Sequence, residues 1–323
     1  MSDGGPLSTP EIIDQIELPI DSNQMLTEFS INLALQEDPR FDEVGPSGET
    51  LWFLHRSEPE NVKSQPKFLI AENTNSYDDT KYSDYLTQMN AGVFDELEYA
   101  KLTKDANVKD VTISLIYPHV VSGTLPLSAN LENLFPTAYE SPRIRFTFVD
   151  GGSNEKFAGW VVREKKYVYG LKEWYQKNEV IPGSLIRIKQ GKNPGEVIVS
   201  IGKKRSTREW VRTAAQTTEG KISFAMTQQI ISTDFDERMT ISITDFNQIE
   251  NLWERYQNIP AEKLITNFVR ELAKLNPQGH VHAQELYAAI NFVKRVSPSY
   301  VLHLLENCAD IEHLGDLYFR IKI

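Results

Sequence analysis

The sequence has almost no cysteine: Cys308 stands alone, so an internal disulfide is excluded and a structural zinc site is not expected. No apolar run approaches the ~20 residues that a membrane-spanning helix needs. Residues 1–10 lack the basic start and the apolar core of a secretory signal. We therefore expect a cytoplasmic protein that contacts no membrane and carries neither a metal ion nor a cofactor.

Positive charge is also scarce. The 323 residues carry 34 Lys and Arg against 45 Asp and Glu, a formal net charge of −11. The first 100 residues hold 5 basic side chains against 20 acidic ones. This balance disfavours indiscriminate coating of nucleic acid, because net repulsion opposes binding away from a basic face. With 40% hydrophobic and 24% charged residues, the chain is predicted to form two or three globular domains.

One segment departs from this acidic balance. Positions 156–212 contain 14 Lys and Arg and 5 Asp and Glu, a local charge of +9. The rest of the chain therefore sums to −20. A basic block inside an acidic chain indicates a partner of negative charge at that place, because average composition cannot produce it.

The same part of the chain has the pattern of a β domain. Over residues 125–201, apolar side chains recur at every second position, and turn residues such as those at 150–152 separate the runs. This is typical of half-buried strands in a compact sheet. A helical spacing of apolar residues interrupts it once and predicts a helix over 171–178. We expect the strands to form one β-barrel domain covering residues 111–245.

The order of these runs carries a resemblance to a known family. A strand with Trp160 precedes Tyr169-Gly170-Leu171-Lys172-Glu173-Trp174, and Asn178-Glu179-Val180 and Gly183 then lead into a closing strand. This pattern resembles the B3-like pseudobarrel of plant transcription factors and of the effector domains of some restriction enzymes. With its flanking helical modules, the chain is also similar in organisation to uncharacterised bacterial proteins. The resemblance implies binding of duplex DNA, in transcription regulation or defence.

In the B3-like family, two arms of the barrel grip the major groove of DNA. By position, the first arm falls on residues 117–122 and the second on residues 163–169, while a further cationic run begins at 203. Cations of this kind suit phosphates or a guanine edge, and tyrosines offer flat surfaces with a hydroxyl. The candidate DNA-contacting residues are Arg163, Lys165, Lys166, Tyr167, Tyr169, His119, Ser122, Lys203, Lys204, Arg205 and Arg208.

Two other interpretations of the basic segment stay open. A charge run on a hairpin is commonly a solvated edge that prevents aggregation between strands. Separately, Asp150 and Glu164-Lys165-Lys166 have the outline by which restriction-type nucleases hold Mg²⁺, although Asp150 lies in an ordinary Asp-Gly-Gly turn. Our main expectation is a non-enzymatic protein with no catalytic residue, and a Mg-dependent nuclease is an alternative.

Residues 7–57 have the order helix, helix, hairpin and resemble a winged-helix unit whose first helix is missing. We expect the first helix to start at Ser8-Thr9-Pro10-Glu11 with a capping hydroxyl, and Asp21 or Ser22 to cap the second. The second helix is predicted to pack inward through Met25, Leu26, Phe29 and Leu33. Since residues 22–38 contain no Lys or Arg, this unit is expected to bind protein rather than DNA. Residues 58–110 are predicted to be an acidic linker with a helix from about Tyr82 to Leu102.

Residues 246–323 are predicted to form a second, complete winged helix, with Ser297 and Pro298 opening its last helix. That helix has no Lys or Arg either, so we expect a protein partner here too. The predicted fold class is α+β: a central B3-like pseudobarrel between a truncated N-terminal and a C-terminal winged-helix domain. If the basic face docks on an acidic protein surface instead of DNA, the chain is a protein–protein adaptor. No small-molecule substrate is inferred.

Overall fold

The computed structural model describes residues 4–17, 23–72, 83–98, 108–138 and 141–322. The chain is a mixed α and β protein with 34% helix and 31% strand, so it is neither all-helical nor all-β. The described strands form one seven-stranded sheet and three sheets of three strands. Among these residues, no helix is both long enough and apolar enough to span a bilayer.

The N-terminal unit, residues 7–54, is a small sheet covered by two helices. Its elements are β1 (Leu7–Ser8), α1 (Thr9–Gln15), α2 (Gln24–Glu37), β2 (Phe41–Glu43) and β3 (Leu51–Leu54). The sheet order is β1-β3-β2, with antiparallel neighbours. As predicted, Ser8 precedes α1, and its N–H donates to the carboxylate of Glu11 at 2.7 Å.

A connector of short helices follows the N-terminal unit. It contains α3 (Glu60–Lys63), α4 (Ser83–Asn90) and 3₁₀ turns at His55–Ser57, Lys67–Leu69 and Glu96–Glu98. The predicted helix from Tyr82 to Leu102 is thus shorter in its described part, since α4 ends at Asn90, before Gly92. Tyr82 and Leu102 themselves lie outside the described residues.

The central sheet curls into a half-barrel. Its elements are β4 (Asp110–Ser114), α5 (Tyr117–Ser122), β5 (Thr124–Pro126), β6 (Arg143–Asp150), β7 (Lys156–Val162), β8 (Tyr167–Tyr169), α6 (Lys172–Lys177), β9 (Leu185–Gln190) and β10 (Glu196–Ile201). The strand order is β4-β9-β10-β6-β7-β8-β5. Alternate residues of the strands, such as Ile144 and Phe148 of β6, fill the concave side as the alternation predicted.

The strands after Ile201 do not complete this barrel; they build a separate sheet. It consists of β11 (Lys203–Gln216), β12 (Ile222–Thr233) and β13 (Ile241–Ile243), in the order β12-β11-β13. We call the long hairpin β11–β12 the ribbon. Val211 and Ile231 are buried on one side of it near its base, whereas Ala214 and Phe224 are buried on the other side near its tip. The right-handed twist of the strands exchanges the two sides along the ribbon.

The last part of the chain packs against the tip of the ribbon. Its elements are α7 (Phe246–Tyr256), α8 (Ala261–Ala273), β14 (Val281–His282), α9 (Ala283–Ile290), α10 (Pro298–Asn307), β15 (Ile311–Gly315) and β16 (Tyr318–Ile321). We call residues 261–321 the C-terminal unit; its sheet order is β14-β16-β15. The Ser297 side chain caps α10 by accepting from the N–H of Tyr300 at 3.2 Å, as predicted.

The orientation predicted for α2 is wrong. The side chains expected inside are exposed, from 45% for Leu33 to 81% for Met25. The half-buried side of the helix instead includes Ile31, Asn32 and Leu35, and the Asn32 carbonyl accepts from the Trp52 indole at 3.0 Å. The helix has apolar residues on two sides, so spacing alone did not show which side faces the sheet. Asn23 is the N-cap; Asp21 and Ser22 lie outside the described residues.

Candidate nucleic-acid interface

The tyrosines of the second predicted arm face the interior. Tyr167 is fully buried and its hydroxyl donates to the carbonyl of Asn61 at 2.7 Å, while burial raises the pKa of that hydroxyl. Tyr169 is half-buried and lies opposite Trp160 of β7. Tyr167 belongs to the small core that joins the N-terminal unit to the central sheet, and Tyr169 packs against that core. The Tyr167 ring therefore offers no free face to a base.

The cations of that arm are partly engaged by acids. Arg163 donates to the carbonyl of Ala138 at 2.8 Å and pairs with Glu132 at 3.3 Å. Lys165 is exposed but lies 2.8 Å from the neighbouring Glu164. Lys166 is half-buried in the tight β7–β8 turn, with φ 55°. The turn therefore presents less free charge than its sequence indicates.

The first predicted arm is a buried helix. His119 and Ser122 belong to α5 and are both buried. The His119 ring contacts the Thr124 hydroxyl at 2.9 Å and the Glu96 carboxylate at 3.0 Å. Gly123 ends the helix with φ 66°, where a Cβ would meet the backbone of α6. In this structure His119 and Ser122, like Tyr167, are buried, and their contact with DNA stays a prediction.

Folding neutralises much of the basic segment. Among the described residues, at least six of its cations form ion pairs with acids, and four of those six acids lie outside positions 156–212. The pairs are Lys156–Glu196, Arg163–Glu132, Lys165–Glu164, Lys177–Glu155, Arg187–Asp110 and Arg212–Glu285. The block is therefore less basic in space than along the chain.

The remaining cations do not line one rim. β10 is parallel to β6 and antiparallel to β9, and β6 is antiparallel to β7. β7 and β9 therefore run in the same direction and end on the same side of the sheet. Lys165, Lys189 and Lys192 lie at that end. Lys203 and Arg208 follow β10 and leave from the opposite end. The cations of the second predicted arm and those of the run from 203 therefore lie at opposite ends of the central sheet.

The ribbon has an exposed side on which an aromatic ring and a cation lie together. Trp210 is 63% exposed, although tryptophan is usually well covered. It lies opposite Gln228, with Met226 and Ile230 at the diagonal positions. Exposed apolar patches rimmed by polar groups mark interaction sites. The ribbon face consists of Arg208, Trp210, Met226, Gln228 and Ile230, all exposed.

The surroundings of the ribbon face are cationic at its base. Lys203 is exposed there, and Lys204 and Arg205 follow in β11, although their side chains lie outside the described part of the structure. Further along the same side, Arg212 turns away: its guanidinium donates to the carbonyl of Glu237 at 2.7 Å and pairs with Glu285. The face therefore ends at Arg212, where the C-terminal unit begins.

A second group of cations lines a cleft at the tip of the ribbon. The cleft has a volume of about 470 Å³ and an apolar floor that includes Ile222 and Phe268. Its cations are Lys221, Arg255, Lys263, Arg270 and Lys274. Lys274 pairs with Glu271, whereas Lys263 and Arg270 are exposed without an ion pair in the described part of the chain. Helical spacing of cations in α8 was the signal that sequence analysis missed.

The acidic residues of the nuclease outline, Asp150 and Glu164, lie far apart in the folded chain. Asp150 ends β6, where its carboxylate accepts from the N–H of Gly152 at 2.7 Å in the hairpin turn. Glu164 lies beyond the far end of β7, which spans seven residues. At about 3.3 Å per residue, roughly 20 Å separates the two carboxylates, too far to share one metal ion.

One cluster has the composition of a metal site. Ligand atoms of Asp42, His55 and Glu58 lie within 4.8 Å of one another. The Arg143 guanidinium, however, lies 3.0 Å from Asp42 and 3.3 Å from Glu58, so a positive charge already faces both carboxylates. Burial raises the pKa of the Glu58 carboxyl to about 7, against the opposing charge of Arg143. We interpret the cluster as an ionic joint between the N-terminal unit and β6.

A second ionic cluster is closed to solvent. Arg295 is fully buried, 2.6 Å from Asp95 and 2.8 Å from Glu96. Burial raises the pKa of the Asp95 carboxyl, which also accepts from the Tyr287 hydroxyl. Burial alone would raise the pKa of Glu96, but the interactions with Arg295 and His119 outweigh it and hold that pKa below its ordinary value. Because no solvent reaches these groups, the cluster fixes the C-terminal unit rather than serving a reaction.

Comparison with known proteins does not supply a family. No protein-family model matches the chain, and no match was found among the curated proteins or the solved structures. Function is therefore argued from the geometry of this chain.

Proposed function

We propose that the chain is a non-enzymatic DNA-binding protein that contacts DNA through the ribbon face. The observation that carries this proposal is the exposed Trp210 indole beside Arg208, directly after the cationic residues 203–205. An indole provides a stacking surface for a base, and the neighbouring cations meet phosphates. Gln228 on the same face adds an amide that can donate to or accept from a base edge.

The exposed ring changes the form of DNA that we expect. In a duplex, base faces are covered by their neighbours, whereas single-stranded DNA presents them freely. The resemblance seen in the sequence predicts duplex DNA as the partner, with the arm at residues 163–169 as a contact. With Tyr167 buried there and Trp210 exposed on the ribbon, we propose single-stranded DNA as the preferred ligand.

We propose finer fold assignments and protein partners as well. The curled central sheet supports a B3-like pseudobarrel. In both terminal units two helices separate the first strand from the second, and the third strand pairs between them, which supports the winged-helix assignment. As α2 and α10 contain no Lys or Arg, these units are proposed to contact proteins. A cytoplasmic location remains a prediction.

The experiment is a fluorescence-anisotropy titration of labelled single-stranded and duplex oligonucleotides of one sequence, across a salt series. The proposal predicts tighter binding of the single strand and affinity that falls as salt rises. Trp210→Ala is expected to weaken binding about tenfold or more, because stacking on an aromatic ring contributes roughly 1–3 kcal/mol per base. Arg208→Glu is expected to weaken binding and flatten the salt dependence.

The matched control reverses charge at the predicted arm. Lys165→Glu/Lys166→Glu is expected to leave single-strand affinity within about twofold, since it lies at the opposite end of the central sheet from the ribbon's base. Loss of binding in this variant together with a preference for duplex would place the interface at the arm instead. Absence of binding at low salt to both oligonucleotides would contradict DNA binding altogether.

The adaptor hypothesis keeps one observation in its favour. The apolar side chains Met25, Leu26, Phe29 and Leu33 form a contiguous exposed row on α2. A row of this kind, without a cation nearby on the helix, fits a protein groove better than a polyanion. If neither oligonucleotide binds, this row is the surface on which a search for a protein partner should start.

A further inference from the structure

β12 has an open edge unlike that of any other edge strand described. In the described residues, the other sheet edges are strands of two to five residues: β1, β2, β4, β5, β13, β14 and β15. β12 spans 12 residues at the edge of its sheet. Natural proteins keep edge strands short because their unpaired N–H and C=O groups recruit further strands.

The composition of β12 does not protect this edge. Its sequence, ISFAMTQQIIST, contains no charged residue and no proline, in a chain of which 24% is charged. Charges and proline are the usual means of blocking an edge. A long edge strand without charged residues or proline is therefore open to pairing with another strand.

In the described part of the chain, elements outside the ribbon contact β12 near its two ends. Near its start, the Phe224 ring packs on Phe268 of α8, 5.9 Å away. Near its end, the Ser232 hydroxyl donates to Glu179 at 2.7 Å. Between them, positions 225–231 pair with β11 on one side, and no described strand lies on the other.

We propose that the partner on this edge is a second copy of the chain, paired antiparallel through β12 about a two-fold axis. Two copies of a protein with net charge −11 repel each other, so a self-contact requires a segment without charge, which β12 provides. An antiparallel pair of identical strands is also a closed, isologous contact, which stops at the dimer.

Geometry fixes the register of this pair. Directly opposed residues of antiparallel strands lie on the same side of the sheet. A two-fold axis at the centre of the open stretch, positions 225–231, then places Gln228 opposite Gln228 of the second copy. Met226 then lies opposite Ile230 of the second copy, and each of these exposed apolar side chains gains an apolar neighbour. The two ribbon faces lie on the same side, with the Trp210 rings three strand spacings, about 14 Å, apart.

Disulfide trapping tests the register. In a Cys308→Ser background, Gln228→Cys places two thiols at the two-fold axis. Directly opposed residues have Cα atoms about 4.5–5.5 Å apart, within the roughly 4.4–6.8 Å that a disulfide spans. Mild oxidation should convert most of this variant to a covalent dimer on a non-reducing gel. The matched control, Trp210→Cys, is exposed on the same face but one strand inward, and should remain monomeric.

Light scattering on the full chain gives the independent measurement. The wild type should have the mass of a dimer, and Ile230→Lys, which places a charge on the paired stretch, should weaken self-association about tenfold or more. A monomeric wild type, or equal trapping of Gln228→Cys and Trp210→Cys, would overturn the proposal. Arg208→Glu separates this inference from DNA binding: it should lose DNA affinity and keep the dimer mass.

Discussion

The N-terminal and C-terminal units have the same order of elements but differ in what covers their last helix. α2 buries none of its residues, whereas α10 buries seven of its ten. In the C-terminal unit, α8 lies against α10, and α4 of the connector packs on it as well. The described part of the N-terminal unit has no helix in the place of α8. Apolar periodicity thus makes a helix in both units, but only a neighbouring element converts it into a core.

The two units also differ in how they are joined to the centre of the molecule. Each joint is an arginine between two carboxylates: Arg143 with Asp42 and Glu58, and Arg295 with Asp95 and Glu96. The N-terminal joint is open to water on one side, with the Asp42 side chain 29% exposed, and the C-terminal joint is closed. A closed joint tolerates the loss of a partner far less, because the charge left behind has no water.

The largest expected effect comes from removing Arg295. Arg295→Met leaves two buried acids without their cation and should destabilise the protein by about 3–5 kcal/mol. Arg143→Met removes the cation from the open joint, where water solvates Asp42, and should cost about 1 kcal/mol. Urea unfolding followed by circular dichroism measures both losses. Equal losses would show that the two joints are equivalent.

A truncation on each last helix tests the difference in burial directly. Leu302→Ala in α10 empties part of a packed core and should reduce the free energy of unfolding by about 2–4 kcal/mol. Leu26→Ala in α2 removes an exposed side chain and should change it by less than about 0.5 kcal/mol. The same urea titration compares them. A large loss from Leu26→Ala would mean that α2 is covered in solution.

The open joint should respond to pH through Glu58. The folded-state pKa of this carboxyl is raised to about 7 from the ordinary value of 4.5, so folding favours its protonated form. Its stabilising contribution is present below pH 4.5 and is lost as pH rises through 7. Glu58→Gln should therefore gain on the order of 2 kcal/mol over wild type between pH 5 and pH 8. The exposed Glu60→Gln is the control, and a pH-independent difference would contradict the assignment.

The smallest expected effects concern the helix caps. Ser297→Ala removes the cap of α10 and should destabilise the whole protein by about 1 kcal/mol. Asn23 accepts from the N–H of Leu26 at 3.4 Å, and its loss should fray α2 alone. Hydrogen exchange should then speed up within α2 while the global unfolding curve of Asn23→Ala stays in place. A global shift from Asn23→Ala would show that α2 folds cooperatively with the core.

Local signals in the sequence predicted many elements. The helix predicted over 171–178, the start of α10 at Ser297 and Pro298, and the strands of the central sheet all follow from caps, turns and periodicity. Those signals act between residues a few positions apart. They tell which side chains share a side of an element, but not which side meets a neighbour, and α2 shows the difference.

The candidate interface was less predictable for a related reason. Tyr167 and Trp210 are both aromatic strand residues between a charged residue and a valine, yet one is buried under the N-terminal unit and the other is exposed. Tyr167 is buried because residues far away in the sequence, such as Val44 and Phe53, pack around it, and its hydroxyl donates to Asn61, 106 positions away. Ion pairs such as Arg212–Glu285 likewise join distant positions and remove charge that the sequence counts as free.

The junction between the central sheet and the ribbon has a mechanical consequence. Gly202 alone separates β10 from β11, and a Cβ at this position would come 1.9 Å from the Asp234 carboxylate. The Asp234 N–H donates to the Gly202 carbonyl at 2.9 Å, and its own carbonyl accepts from Leu185 of β9 at 3.0 Å. The base of the ribbon is hydrogen-bonded to the central sheet, and Phe224 near its tip packs against α8. The ribbon is therefore a rigid connection between the central sheet and the C-terminal unit. Under a stretching force, the middle and the end of this chain should yield together in one step.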